Sequence, residues 1–242
     1  MGSIGNKLGA ELPAKYTPVA HHSLVTNDFD ALKFGAAASL QLRLGVKYED
    51  AVISDSFLIT SPYNEPGHLL DLRRLDISDQ LLAKALTVLQ PIQPDYATRD
   101  YTESFNWQFV MDLLKGFSAA EGYEWKERDF YVVTFRSQLQ PTADGERLHE
   151  LDWHSHREAT ESGGLLKYWF GTKNEQFRNL ANCIWRSRED ARLGGLGQWH
   201  KKARAAARDL YVSIEFTTLK LTIGDGVESW SIVDWKEGDE EG

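Results

Sequence analysis

The order of the segments between residues 130 and 235 constrains the fold of this 242-residue chain more than any other sequence feature. β-Branched and aromatic residues at alternating positions predict strands, and apolar residues spaced by three or four predict helices. The predicted series is strand, helix, strand, strand, helix, strand, strand, at residues 130–139, 147–160, 165–170, 179–186, 187–211, 212–223 and 230–235. This split βαβ order predicts an α+β fold with a ferredoxin-like antiparallel sheet and helices on one face.

The rest of the chain is predicted to elaborate this unit. Residues 1–30 are polar and contain two prolines, so we expect a poorly structured arm. Residues 31–128 are predicted to add N-terminal α/β elements, and residues 236–242 form an acidic tail after the ferredoxin-like domain at 129–235. The predicted N-terminal elements are strands at 57–60 and 69–77, a helix from an N-cap at Ser78 to residue 89, and a helix at 104–120.

A ferredoxin-like sheet has one face without helices, and this face needs an apolar cover. The N-terminal elements can supply the cover, or a second subunit can. The second solution produces the dimeric α/β barrel, in which a pocket lies between each sheet and its own helices. A homodimer of this type is therefore one expected assembly.

Composition excludes several classes of protein. The net charge of −9 disfavours non-specific binding to nucleic acid, and the single cysteine excludes an intrachain disulfide and a Cys-type zinc site. Motifs typical of serine hydrolases, P-loop ATPases and Rossmann dehydrogenases are missing. No apolar run approaches the roughly 18 residues of a membrane span, so we expect no membrane partner and a cytoplasmic location.

The first candidate site is the segment 149–158, which contains three histidines and three acidic residues. On a helix, His154 and His156 point about 200° apart, whereas His149 and His156 share a face. This arrangement disfavours a His-x-His chelate, so we predict no metal site and no cofactor. An exposed polar helix face is one interpretation, and acid–base catalysis by a histidine is the other. The candidate catalytic residues in this segment are Asp152, His154, His156 and Glu158.

The second candidate site is the segment 186–208, which has seven Lys or Arg residues and only two acids in a chain of negative net charge. It is interpreted either as a docking strip for an anionic partner such as RNA or as a solvated helix face. Trp199 and His200 lie within it and are residue types that stack on bases. The candidate RNA-binding residues are Arg188, Arg192, Lys201, Lys202, Arg204 and Arg208, and the candidate catalytic residues are Glu189, Asp190 and His200.

The third candidate site is a set of aromatic residues on predicted strands. Alternation along a strand places Tyr168 and Phe170 on one side of the sheet and Trp169 on the other. One side is predicted to pack on helices. The pattern is compatible with an apolar pocket on the other side and also with simple core packing. The candidate substrate-binding residues are Tyr168, Phe170, Trp185, Arg186 and Trp199.

Three segments carry a family resemblance. The segments Ser162-Gly-Gly-Leu-Leu-Lys-Tyr-Trp-Phe-Gly171, 178–187 and Glu189-Asp-Ala-Arg-Leu-Gly-Gly195 resemble a family of uncharacterised ascomycete fungal proteins. The order of motifs is also similar to the second half of dimeric α/β-barrel proteins, which include cofactor-free monooxygenases and cyclases. The size of the chain is similar to that of fungal arginine-containing cyclodipeptide synthases, which join two amino acids from charged tRNAs. The Asp-Asp-x-x-Glu motif of that group is missing here, and Glu189-Asp190 is the nearest acidic pair.

Three hypotheses for function follow. In the first, the chain is a tRNA-dependent cyclodipeptide synthase of fungal specialised metabolism, and the basic segment docks the aminoacyl-tRNA. In the second, it is a cofactor-independent cyclase, lyase or monooxygenase that acts on a small molecule, with His154, His156 or His200 as acid or base. In the third, it is a non-catalytic dimeric protein that binds a small ligand.

Overall fold

A computed structural model of the protein describes residues 56–236 and residue 238. The predicted arm at 1–30, the first part of the predicted N-terminal elements and most of the acidic tail lie outside these residues. The N-terminal elements are β1 (Phe57–Leu58), β2 (Leu70–Asp71), α1 (Ile77–Leu86), α2 (Tyr101–Ser104) and α3 (Trp107–Glu121). The elements that follow are β3 (Arg128–Leu139), α4 (Gly145–Ser162), β4 (Leu165–Phe170), β5 (Arg178–Trp185), α5 (Arg188–Gly194), α6 (Gln198–Leu210), β6 (Tyr211–Ile223) and β7 (Trp230–Asp234).

Five strands form one antiparallel sheet in the order β4-β5-β3-β6-β7. β3 lies at the centre, where Val132 is opposite Ile184 of β5 and Leu219 of β6. Helix α4 connects β3 to β4, and helices α5 and α6 connect β5 to β6. The consecutive strands β4 and β5 are neighbours, and β3 lies between β5 and β6. This is the ferredoxin-like order, so the predicted fold class is confirmed, with β7 as an additional edge strand.

The N-terminal elements cover the sheet face that the ferredoxin-like unit leaves open. Buried residues of that face form one core cluster with buried residues of α1 and α3, among them Phe130, Leu180, Leu221, Leu82 and Leu114. The first of the two predicted covers is therefore the one that the chain uses. A barrel-type dimer would need this face, which the chain's own helices already occupy.

The opposite face of the sheet, called here the near face, packs on α4, α5 and α6. Tyr131 on this face alternates with the buried Phe130 and Val132 of the covered face, as the two-residue period of a strand requires. The same alternation along β4 places Tyr168 on the near face and Trp169 in the covered core. The predicted assignment of these two residues to opposite faces is confirmed.

Several predicted elements differ from the structure. The strand predicted at 69–77 is wrong, because only Leu70–Asp71 pair as a strand before a 3-10 turn at Leu72–Arg74, where the Asp71 side chain accepts from the Arg73 backbone. The next helix begins after Asp76 and not after Ser78.

The helix predicted at 104–120 is divided into α2 and α3. Asn106 separates them, because its side chain accepts from the Gln90 backbone N–H (2.9 Å) and donates to the Val88 carbonyl (3.0 Å). The predicted helix at 187–211 is interrupted between Gly194 and Gln198, a stretch that contains three glycines.

Candidate active site

A cavity of about 640 Å³ lies between the near face of the sheet and helices α4 and α6. Its size falls within the range of about 300–1,000 Å³ that is usual for small-molecule sites. Its wall is mostly apolar and includes Tyr63, Val133, Phe135, Leu139, Leu148, Leu165, Tyr168, Phe170, Cys183, Trp185, Leu210, Tyr211, Ile214 and Phe216. The polar and titratable side chains in this wall include His149, Asp152, His156, His200 and Arg204.

Asp152 of α4 is the acceptor at the centre of one polar group. The Tyr168 hydroxyl donates to its Oδ1 (2.5 Å), and the Tyr63 hydroxyl donates to its Oδ2. Burial raises the pKa of Asp152, although the two tyrosine donors act in the opposite direction. Burial likewise raises the pKa of both tyrosines, with a further contribution from the Asp152 charge.

Tyr63 reaches this group because the segment 59–69 crosses the edge of the sheet beside β4. The Tyr168 backbone N–H donates to the Thr60 carbonyl (2.9 Å), which fixes the segment against that edge. The Ser61 hydroxyl then accepts from the Tyr63 N–H and donates to the Tyr63 carbonyl, both at 3.1 Å. The Tyr63 side chain is consequently buried on the near face, with its ring 5.2 Å from the ring of His156.

Glu158 and His200 form a second polar group, which joins α4 to the first turn of α6. Glu158 accepts from the backbone N–H groups of Trp199 (2.8 Å) and His200 (3.1 Å), and its Oε2 lies 3.0 Å from His200 Nδ1. The N-cap of α6, Gly197, has no side chain for this purpose, so Glu158 caps the helix from outside it. Burial raises the pKa of Glu158, but the donors from Trp199 and His200 outweigh it and hold the pKa below its usual value.

Gly197 makes this contact sterically feasible. A Cβ atom at position 197 would lie 2.0 Å from Glu158 Oε2, which is far inside any real contact distance. The glycine therefore leaves the space in which the Glu158 carboxylate approaches the helix N-terminus. The result is a histidine of the cavity wall with one ring nitrogen fixed against a carboxylate.

His68 and His156 form a third polar group, of which His156 belongs to the cavity wall. Their Nδ1 atoms are 2.9 Å apart, so one ring donates and the other, unprotonated at this nitrogen, accepts. Both side chains are buried. Burial lowers the pKa of His156 to about 3, and burial also lowers the pKa of His68.

The structure brings together some of the sequence-predicted site residues. The cavity wall contains Asp152, His156 and His200 of the predicted catalytic residues, Tyr168, Phe170 and Trp185 of the predicted substrate-binding residues, and Arg204 of the predicted RNA-binding residues. Glu158 joins them through His200. His149 also lines the cavity, as its helical spacing from His156 indicated.

Other predicted site residues lie outside the cavity wall. Arg186 donates to both oxygens of Asp190 (2.8 and 2.9 Å), and Glu189 pairs with Arg192 on the surface (2.6 Å). His154 stacks on Trp199 at a centroid distance of 3.7 Å. Lys202 Nζ lies 3.6 Å from the centroid of the same indole, so both faces of Trp199 are occupied. A nucleic-acid base therefore has no free face of Trp199 on which to stack.

The six predicted RNA-binding residues are all exposed on α5 and α6: Arg188, Arg192, Lys201, Lys202, Arg204 and Arg208. Their positions are compatible with a solvated face and with attraction of an anion. No group of three His, Cys, Asp or Glu side chains within the described residues is placed to hold a metal ion. A helix with the length and apolar character to cross a membrane is also missing from that part of the chain.

The sequence analysis missed Tyr63 and His68. Both lie in the Pro- and Gly-rich connection between the strands predicted at 57–60 and 69–77, to which no function was assigned. An aromatic residue and a histidine within such a connection are a signal for function, because connections carry binding residues more often than their share of the chain suggests. The partner of each residue lies almost 90 positions away, so no local pattern identifies it.

Comparisons with solved structures find limited similarity. The "putative antibiotic biosynthesis monooxygenase" of Nitrosomonas europaea has a TM-score of 0.33 and 13% identity, over 36% of this chain and 94% of that chain. The Rv0793 protein of Mycobacterium tuberculosis has a TM-score of 0.34 and 18% identity, over 37% and 92%. The fold class of the present chain rests on its own strand order.

Comparisons of sequence find a family. UPF0643 protein PB2B2.08 of Schizosaccharomyces pombe is 36% identical over 181 residues, which cover 72% of this chain and 82% of that protein. The model of the PB2B2.08-like family matches residues 59–234, which include every element described above from β2 to β7. The predicted resemblance to a fungal family is therefore confirmed, and the chain belongs to the PB2B2.08-like family.

Proposed function

We propose that the chain is a cofactor-independent enzyme that transfers protons on an apolar small molecule bound in the cavity. The observation that carries this proposal is the Glu158–His200 pair at the wall of an otherwise apolar cavity. A histidine oriented by a carboxylate is a common general base in enzymes that act on many kinds of substrate. The proposal corresponds to the second hypothesis of the sequence analysis.

His200 has the role of the general base. A carboxylate only accepts hydrogen bonds, so the 3.0 Å contact with Glu158 requires a proton on His200 Nδ1. In the neutral ring the lone pair is then on Nε2, which can take a proton from a bound substrate. The negative charge of Glu158 stabilises the imidazolium that results, and the backbone N–H groups of α6 keep the carboxylate in place.

Asp152 and its two tyrosines have the role of holding a substrate oxygen. While Asp152 is ionised, both tyrosines donate to it, and their oxygens can still accept from a substrate hydroxyl. When Asp152 is protonated, it can donate to one tyrosine, whose own hydroxyl proton becomes available to a substrate carbonyl. The raised pKa of Asp152 brings this second state closer to working pH.

The tRNA-dependent hypothesis has weaker support. Two of its candidate acids are engaged elsewhere, since Glu189 pairs with Arg192 at the surface and Asp190 accepts from Arg186 and Ser187, which leaves only the acids of segment 149–158 for this hypothesis. The indole of Trp199, which was expected to stack on bases, is covered on both faces. The third hypothesis, a non-catalytic binding protein, uses the same cavity and differs only in the absence of turnover.

Untargeted mass spectrometry tests the proposal. Purified protein is incubated with a small-molecule extract of ascomycete cells, and depleted and new masses are compared among wild type, His200→Gln and Glu189→Gln. We expect wild type and Glu189→Gln to convert the same compound, and His200→Gln to convert it about 100-fold more slowly or worse, which is the usual contribution of a general base.

Each other result has a distinct meaning. Conversion by His200→Gln at the wild-type rate would refute the role of His200. Loss of conversion in Glu189→Gln would instead contradict the placement of this surface residue outside the site. Capture of a compound by wild type without conversion, measured by native mass spectrometry, would favour the binding-protein hypothesis.

A further inference from the structure

We propose that the cavity binds an otherwise apolar carboxylic acid, and that Arg204 at its rim binds the carboxylate. This inference deepens the proposed function and rests on it for one step, the placement of the reacting atom beside His200. The assignment of the ligand class itself is independent of turnover. It depends on the position of one cation, on the apolar remainder of the cavity and on the charge of α6.

Arg204 is an exposed residue of the cavity wall and remains charged at every physiological pH. One Nη1 N–H donates to the Gly195 carbonyl (3.1 Å), which anchors the guanidinium where α5 ends. A guanidinium has five N–H donors in a planar fork, and such a fork matches the two oxygens of a carboxylate. The anchored side chain therefore presents a carboxylate-binding group at the edge of the cavity.

His200 and Arg204 are one helical turn apart on the face of α6 that lines the cavity. Residues with this spacing have Cβ atoms about 6 Å apart. Ala203 and Ala207 lie on the same face and are small, so the ligand can approach the helix closely between the two polar side chains. The proposal therefore places the carboxylate at Arg204 and the adjoining carbon atoms along the face of α6 toward His200.

The remainder of the ligand is apolar. The wall beyond this helix face consists largely of aromatic and aliphatic side chains, such as Val133, Phe135, Phe170 and Trp185. A second charge buried among them would lose its hydration without gaining a partner, which is unfavourable. The polar Asp152 group offers hydroxyl and carboxyl hydrogen bonds, which suit an oxygen of a neutral substituent.

The charge of α6 supports an anionic ligand and gives the basic segment a role. This helix has the cations Lys201, Lys202, Arg204 and Arg208 and a single acid, Asp209, in a chain whose net charge is −9. Clustered cations beside a cleft raise the local concentration of small anions and their rate of association. The cations that the sequence analysis assigned to RNA can therefore steer an organic acid toward the rim of the cavity.

Matched pairs of a carboxylate and its primary amide test the inference, since the two members are almost identical in size. Calorimetric titrations would compare 2-naphthylacetate with 2-naphthylacetamide, and 1-pyreneacetate with 1-pyreneacetamide. We expect wild type to bind at least one acid tenfold or more tightly than its amide. Arg204→Gln should reduce the preference to less than threefold, and Arg204→Lys, which keeps the charge, should retain part of it.

Arg208→Gln is the matched control, because Arg208 is exposed on the same helix and is not part of the cavity wall. Because its charge acts on the ligand only from a distance, this variant should keep most of the preference. Equal affinity of acid and amide for wild type, failure of every probe to bind, or an unchanged preference in Arg204→Gln would each overturn the inference. His200→Gln separates the two proposals, because it should lose turnover and keep the preference. If Arg204→Gln loses the preference and wild type shows no turnover, the proposed ligand class is supported and the proposed enzymatic activity is refuted.

Discussion

The buried histidine pair makes the stability of this protein depend on pH. The pKa of His156 falls from its usual 6.5 to about 3 in the folded protein, because burial removes the hydration of the charged ring. As the pH falls, His156 of the unfolded chain therefore takes up a proton near pH 6.5, whereas His156 of the folded protein stays neutral until about pH 3. The contribution of this neutral ring to stability is complete above pH 6.5 and is lost as the pH falls toward 3.

The expected loss is large enough to measure. Each pKa unit of difference corresponds to about 1.4 kcal/mol, so the contribution of His156 declines by about 3 kcal/mol between pH 8.0 and pH 4.5. The substitution His156→Asn removes this titration and retains a polar atom near the Nδ1 position, which can still bond to His68. We expect it to cost about 1–2 kcal/mol at pH 8.0 through lost packing, and this deficit should shrink as the pH is lowered and reverse in sign by pH 4.5.

Urea unfolding followed by tryptophan fluorescence, at constant ionic strength and at several values between pH 8.0 and 4.5, measures this difference. His154→Asn is the control, since His154 lies on the same helix and stacks on Trp199 instead of pairing with a buried ring. It should follow the pH dependence of wild type. A difference in unfolding free energy between wild type and His156→Asn that stays constant within about 1 kcal/mol across this range would refute the reasoning.

Two further predictions concern the polar groups of the cavity. Gly197→Ala should lower stability by about 1–2 kcal/mol and slow turnover, because the new Cβ would displace Glu158 from the α6 N-terminus. Gly195→Ala, whose Cβ would meet only ordinary contacts, should leave the thermal midpoint nearly unchanged, and an equal loss in both variants would contradict this explanation. Tyr168→Phe should remove a donor from Asp152 and raise the pKa of that carboxyl further, which ¹³C NMR of labelled aspartate would detect; an unchanged or lower pKa would contradict this.

The sheet and part of the cavity wall could be predicted from the sequence because their patterns are local. The two-residue period of β4 separates Tyr168 from Trp169, and the structure places them on opposite faces. The helical period of α4 brings His149 and His156 to one face, and both line the cavity. In each case the residues that determine the arrangement are neighbours in the sequence.

The polar groups could not be predicted, because each joins residues that are distant in the sequence. Tyr63 and Asp152 are 89 positions apart, and no periodicity relates them. The contact of Glu158 with His200 has one local signal in the sequence. Helix α6 begins after Gly197, which has no side chain to cap the helix. An uncapped N-terminus next to a buried site indicates that another element supplies the acceptor.

The segment 59–69 connects the covered face of the sheet to the cavity on the near face. α1 and α3 cover the face of the sheet that a barrel-type dimer would use, so the N-terminal elements lie mainly on the side away from the cavity. The segment 59–69 crosses the β4 edge at Thr60 and brings Tyr63 to the other side, where it donates to Asp152. The same part of the chain therefore closes the sheet on one face and completes a polar group on the other. A substitution that loosens the edge contact should consequently disturb Asp152 without any change in α4.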